Sequence, residues 1–113
     1  MNRYLMIFRS EAQKWASMSP SEMQTALQEW ASWMEGLAKQ GVLEAGEQLG
    51  PDAKTVTGSQ KVVSDGPYTE AKETVGGYVI VKAGSLNEAV EHSKTCPVLL
   101  MEGIIEVRPI MDR

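Results

Sequence analysis

The chain has 113 residues, of which 42% are hydrophobic and 23% charged, a balance typical of one globular domain rather than of a disordered segment. Fifteen acidic against eleven basic side chains give a net charge of −4 without any basic run, which argues against nucleic-acid binding. No apolar stretch reaches the roughly 18 residues of a membrane span, and the single cysteine, Cys96, excludes an intrachain disulfide. We therefore expect one domain over residues 1–113, in the cytoplasm, with no membrane or nucleic-acid partner.

The first half of the chain predicts a strand, a long helix and a second strand. Residues 4–8 form a continuous apolar run, which is typical of a strand covered on both faces. Ser19 and Glu22 then form a capping box, and behind it apolar residues recur at three- and four-residue spacing for about five helical turns. Gly41 predicts the end of that helix, and residues 42–49 predict a short strand.

The second half predicts four further elements. They are a hairpin with strands at 55–57 and 61–63, an apolar strand at 78–81, a shorter helix that opens on the capping box of Ser85 and Glu88, and a final strand at 104–110. The order β-α-β-hairpin-β-α-β predicts an α+β domain of the ferredoxin-like, split βαβ kind. In that plan two helices cover one face of an antiparallel sheet.

The other face of that sheet also needs a cover, because the predicted central strands are apolar on both sides. A homodimer that packs sheet on sheet would supply one. The alternative is a cavity on that face, lined by Tyr4, Met6, Tyr78 and Ile80 or by their alternating neighbours. Both can hold together, as a dimer with a pocket between the sheets.

One segment resembles a family signature. Residues 65–73 read Asp-Gly-Pro-Tyr-Thr-Glu-Ala-Lys-Glu and are followed by Gly-Gly-Tyr at 76–78. This resembles the Asp-Gly-Pro-aromatic signature of DGPF-domain proteins within the YCII-related family, with Tyr68 where Phe is usual. Stretches along nearly the whole chain agree with the same family: residues 4–7, 41–46, 86–89 and 107–109.

The resemblance implies a ferredoxin-like domain that forms a dimeric α+β barrel, with a largely unassigned biochemical activity. The better-known YCII branch is similar to an enzyme family with a His–Asp pair, the His lying on the first helix. In this chain that position falls near Trp30, and the only histidine, His92, lies on the second predicted helix. The resemblance therefore carries no His–Asp chemistry over to this chain.

Asp65 is the candidate acid–base residue, at the end of a predicted strand. The alternative is an Asp that closes its own turn before Gly66. Glu73 pairs by spacing with Glu70, which suits either acid–base work by paired carboxylates or a solvated charged surface, and Glu73 is also a candidate ligand-binding residue.

Arg9, Tyr68 and Tyr78 complete the candidate ligand-binding set. Arg9 can hold an anionic group or lie on the surface. The two tyrosines can stack on a ligand or belong to the core. No Asp, Glu or His set has metal-ligand spacing and no glycine-rich phosphate loop occurs, so we predict neither a metal nor a cofactor. His92 is expected to be exposed.

Two hypotheses for function follow. The first is a small-molecule ligand or substrate bound between the sheet and the 65–73 segment, with Asp65 as the acid–base group. The second is a non-catalytic regulatory or binding module that acts through its dimer or a protein partner.

Overall fold

The computed structural model describes residues 2–11, 17–50, 52–66 and 74–111. Strands, helices and one 3₁₀-helix follow one another along these residues. They are β1 (Asn2–Ser10), α1 (Pro20–Lys39), β2 (Leu43–Gln48), β3 (Lys54–Thr57), β4 (Val62–Asp65), β5 (Thr74–Ala83), α2 (Leu86–Ser93), a 3₁₀-helix (Pro97–Met101) and β6 (Ile104–Pro109).

Four of the strands form one antiparallel sheet in the order β2-β5-β1-β6, and β3 and β4 form a separate two-stranded ribbon. Both helices pack on the same side of the four-stranded sheet, around one hydrophobic core. This order and layering confirm the predicted α+β, ferredoxin-like split βαβ fold. The molecule is only 19 Å thick along its shortest axis, which matches one helix layer on one sheet layer.

The two faces of the sheet differ in what covers them. On β1, Tyr4, Met6 and Phe8 point to the helices and are at most 4% exposed. Leu5 and Ile7 point to the opposite side and are half-buried. Within the described residues no helix lies over that side, which we call the open face.

The register defines the centre of the open face and corrects one expectation. Leu5 pairs with Ile80 and Ile7 pairs with Tyr78, so these four side chains share the open face. Tyr4 pairs instead with Val81 under the helices. The predicted set of Tyr4, Met6, Tyr78 and Ile80 is therefore wrong, because side chains alternate between faces with a period of two. Leu5 and Ile7 lie on the open face in place of Tyr4 and Met6.

The long helix α1 begins as the sequence predicts. The Ser19 hydroxyl accepts a hydrogen bond from the Glu22 backbone N–H at 3.2 Å, and the Glu22 carboxylate accepts one from the Ser19 N–H at 3.0 Å. These bonds to Ser19 hold the pKa of Glu22 below its usual value. The helix ends before Gly41, whose φ of +77° suits glycine.

The C-terminal half of α1 anchors it to the sheet. Trp33 and Leu37 are its buried residues, and Trp33 Nε1 donates to Thr95 Oγ1 at 3.0 Å. A 3₁₀-helix that is not among the predicted elements follows α2 and begins at Pro97. Proline at its first position supplies the fixed φ and lacks the N–H that would stay unbonded there.

The β3–β4 ribbon, Lys54–Asp65, is here called the arm. It is inserted between β2 and β5. The Leu49 N–H donates to Gly76 O at 2.9 Å at the end of the β2–β5 ladder, and the Gly66 N–H donates to Ala53 O at 2.7 Å at the base of the arm. Its strands pack on each other and make no extensive contact with another described strand or helix. The radius of gyration of 15.4 Å exceeds the roughly 13 Å of a compact domain of this length, as a projecting arm would cause.

No helix among the described residues is both long and apolar enough to cross a membrane.

Candidate functional site

A cleft lies at the end of the sheet where β1 and β2 finish and β5 starts, and we call it the end cleft. Its walls come from strand ends at Phe8, Gln48 and Gly76, from Trp30 of α1, and from the 3₁₀-helix. Its cavity volume is about 40 Å³. A water needs roughly 10–15 Å³ and a drug-sized ligand at least about 300 Å³. In a single chain the end cleft therefore accepts one small chemical group.

An aromatic cluster forms the inner wall of the end cleft. The rings of Phe8 and Trp30 meet edge to face, with centroids 4.6 Å apart and planes at 82°. Trp33 meets Phe8 in the same way at 5.8 Å. Such contacts fix the ring orientations and leave an apolar surface. The indole of Trp30 offers that wall no group for proton transfer.

Polar groups lie at the rim of this apolar wall. Gln48 brings a side-chain amide and Glu29 a carboxylate, and both residues are exposed. Ser10 is only 4% exposed, and its backbone carbonyl accepts a hydrogen bond from Thr74 Oγ1 at 3.3 Å. The end cleft thus combines an apolar interior with an amide and a carboxylate at its mouth, a common pattern for binding an organic ligand.

A shallow groove continues from the end cleft along α1 and the edge strand β2. Trp30 and Gln48 belong to both, and the groove adds Met34, Glu35 and Glu47. Its volume is about 500 Å³, but it is open to solvent along its length.

Asp65 lies at the end of β4, at the base of the arm. Its side chain is 91% exposed, and its carboxylate lies 3.5 Å from Lys54 Nζ. Among the described residues it contributes nothing to the walls of the end cleft. The following Gly66 has a φ of +88° and accepts a hydrogen bond from Thr55 Oγ1 at 2.8 Å, so this part of the signature forms a turn.

Arg9 and Tyr78 both lie on the open face. Arg9 Nε lies 3.6 Å from one carboxylate oxygen of Glu106, and Arg108 Nε lies 3.8 Å from the other. Tyr78 is half-buried and lies opposite Ile7 in the ladder. The structure therefore brings these two residues to one face and leaves Asp65 apart from them.

Tyr68 and Glu73 lie outside the described residues. The assignment of Asp65, Arg9, Tyr68, Glu73 and Tyr78 to a ligand site stays a prediction.

Two glycines of the signature have backbone reasons to be glycine. Gly66 has the positive φ given above. A Cβ on Gly77 would lie 2.9 Å from the Glu47 carbonyl oxygen, because β2 and β5 approach closely there. Gly76 is different, since a Cβ on it would meet no atom within 4 Å. Packing therefore explains Gly77, whereas Gly76 leaves space beside the end cleft.

The cysteine and the histidine have buried atoms. Cys96 is 2% exposed, and burial raises the pKa of its thiol to about 11, which makes it a poor nucleophile at neutral pH. His92 is half-buried rather than exposed, and its Nε2 is buried without a hydrogen-bond partner. The expectation for His92 was wrong, and its spacing of three from the fully buried Ala89 was the signal for it.

Across residues 2–11, 17–50, 52–66 and 74–111, no three His, Cys, Asp or Glu side chains come together in a way that could hold a metal ion.

A family model of the YCII-related domain matches residues 3–113, essentially the whole chain. The chain belongs to the YCII-related family. No curated protein gives a significant match.

Proposed function

We propose that this YCII-related chain binds a small organic molecule in the end cleft and works as a homodimer. The observation that carries the proposal is the cleft itself, an apolar pocket with an amide and a carboxylate at its rim, placed where β5 begins. The signature segment at 65–73 immediately precedes that strand in the sequence, because β5 begins at Thr74.

The size and chemistry of the end cleft indicate the ligand class. A cavity of about 40 Å³ is too small for an aromatic ring, so the cleft itself suits a methyl- or amide-sized group. Trp30 lines both the cleft and the groove, so its ring can stack on an aromatic part of the ligand that lies in the groove. Gln48 can both donate and accept hydrogen bonds, and Glu29 accepts them, so an amide or a neutral hydroxyl suits the rim better than an anion does. A group of about 40 Å³ would be held in the cleft while the rest of the ligand lies in the adjoining groove.

The open face supports the homodimer. Its centre consists of half-buried Leu5, Ile7, Tyr78 and Ile80, and its border carries the charged side chains of Arg9, Glu106 and Arg108. An apolar centre with a polar border is the usual composition of a specific protein interface. A two-fold partner with the same face would cover it.

Ligand binding is tested by thermal shift with benzamide, benzoate and indole on the wild type and on Gly76→Ala, Asp65→Ala and Arg9→Ala. We expect benzamide or indole to raise the melting temperature of the wild type. Gly76→Ala should weaken the shift, because Gly76 lines the cleft and an added methyl group narrows an already small cavity. The other two variants should keep it.

A shift that is unchanged in Gly76→Ala and disappears in Asp65→Ala would contradict the end cleft as the site and support the acid–base role of Asp65. Loss in Arg9→Ala alone would place the ligand on the open face with Tyr78.

A second function is favoured by the exposure of Asp65 and its ion pair with Lys54. In this alternative the chain is a non-catalytic interaction module, and the signature shapes the base of the arm. Substitutions in the signature would then change association of the protein and leave small-molecule binding unaffected.

We also infer that the chain belongs to the DGPF branch of its family, from the residues at 65–73 and 76–78. A cytoplasmic location is our further proposal, supported by the free, buried thiol of Cys96, which a reducing compartment preserves.

A further inference from the structure

The arm lacks a packing partner within the described chain. Each of its strands has four residues, and isolated two-stranded ribbons of that size are at best marginally stable in water. Its three valines nevertheless remain more than half exposed, with Val56 at 63%, Val62 at 58% and Val63 at 59%. Such residues usually indicate a surface that packs on something else.

The pairing of the strands separates these valines onto two faces. Val56 pairs with Val63, so both point to one side, and two positions along the pair Lys54–Asp65 flanks them. Val62 pairs with Thr57 on the other side. One side of the arm, the valine face, therefore has an apolar pair next to a charged pair, and the other side is more polar.

The open face alone has only the minimum area of a stable dimer interface, so a contact made by the arm would add to it. Four strands at about 4.8 Å spacing and roughly 30 Å of β1 give an open face of roughly 600 Å² per copy. Two copies would bury roughly 1,200 Å² there, which is the lower limit for a specific, stable interface. One face of each arm has an area of about 130 Å² and would cover an equal area of the partner. The two arms and the two areas that they cover would add roughly 500 Å² and bring the interface to the standard size.

We propose that the arm of each protomer packs with its valine face on the second copy, so that the two arms clasp the dimer. This inference rests on the proposed homodimer. The charges agree with it, because Lys54 and Asp65 on the valine face would meet a border that carries both signs, from Arg9, Glu106 and Arg108. The arm is inserted between β2 and β5, so it leaves the sheet at the end where β2 finishes and β5 begins.

The test measures the dissociation constant of the dimer by sedimentation equilibrium for the wild type, the double variant Val56→Thr/Val63→Thr, and Val62→Thr. Threonine keeps the branched shape and the strand propensity of valine while adding a hydroxyl. The double variant should weaken the dimer by roughly tenfold or more, because four buried valines change across the two-fold axis. Val62→Thr, equally exposed but on the other side of the arm, is the matched control and should change the constant less than about twofold.

A third variant, Ile7→Lys, places a charge at the centre of the open face and separates failure of the arm from failure of the dimer. A wild-type dimer that Ile7→Lys dissociates and the double variant leaves unchanged would overturn the arm contact alone. A monomeric wild type would overturn the proposed dimer and the arm contact together. If the double variant is poorly folded by circular dichroism, hydrogen exchange on the wild type decides. Arm amides should be protected at high protein concentration and exchange faster on dilution, and exchange independent of concentration would overturn the proposal.

Discussion

The central sheet and the arm are both antiparallel ladders rich in valine, yet their surroundings are opposite. Val79 and Val81 on β5 are fully buried beneath the helices, whereas Val56 and Val63 on the arm are about 60% exposed. Hydrogen-bonded pairing is present in both regions. The comparison shows that the packing on a ladder's face, more than the ladder itself, decides how much a strand contributes to stability.

The largest expected difference between the two regions comes from the same substitution made in each. Val79→Ala should lower the free energy of unfolding by about 2–3 kcal/mol, because it removes buried carbon atoms and leaves a cavity. Val63→Ala should cost less than about 0.5 kcal/mol in dilute, dissociated protein, where its side chain is exposed. Urea denaturation of both variants measures the difference. Equal losses would show that the arm is packed within its own chain.

Gly76 and Gly77 are adjacent where the sheet meets the arm, and the same substitution should affect them differently. Gly77→Ala should cost about 2 kcal/mol, since its methyl group would press on the Glu47 carbonyl oxygen at 2.9 Å and the backbone must shift. Gly76→Ala meets no atom within 4 Å and should change stability by less than about 0.5 kcal/mol. Thermal unfolding of the two variants checks this order. A neutral Gly77→Ala would mean that β2 and β5 separate easily.

The smallest effect concerns two glycines with positive φ, one in each region. Gly41→Ala strains the end of α1 and should lower the free energy of unfolding by about 1 kcal/mol. Gly66→Ala has the same strain at the base of the arm but should leave global unfolding unchanged within about 0.3 kcal/mol, because the arm opens independently.

Hydrogen exchange distinguishes these two glycine variants. Gly66→Ala should speed exchange of the arm amides, and Gly41→Ala should speed exchange throughout the sheet and helices. Faster exchange everywhere in Gly66→Ala would show that the arm and the sheet unfold as one unit.

The elements of the fold were predictable from the sequence because their signals are local. The capping box of Ser19 and Glu22 and the glycine at 41 give the bounds of α1, and the apolar runs give β1 and β5. The side of the sheet on which each residue lies was not predictable from an apolar run. It depends on the register between strands, which placed Leu5 and Ile7, and not Tyr4 and Met6, with Tyr78.

The candidate site was less accessible to sequence reasoning than the fold. The end cleft forms where Phe8, Trp30, Gln48 and Gly76 meet, and these residues are distant along the chain. Trp30 lies at the three- and four-residue spacing of the apolar residues of α1, and no local pattern shows that it also lines a cavity. Asp65 drew attention through the signature, but the turn that it precedes is determined by Gly66 and the arm.

We infer that a second copy of the chain covers both the open face and the arm. Sedimentation equilibrium of the wild-type protein at micromolar concentration tests this inference. We expect a mass of twice the 12.4 kDa of one chain. A mass of 12.4 kDa across the micromolar range would contradict it.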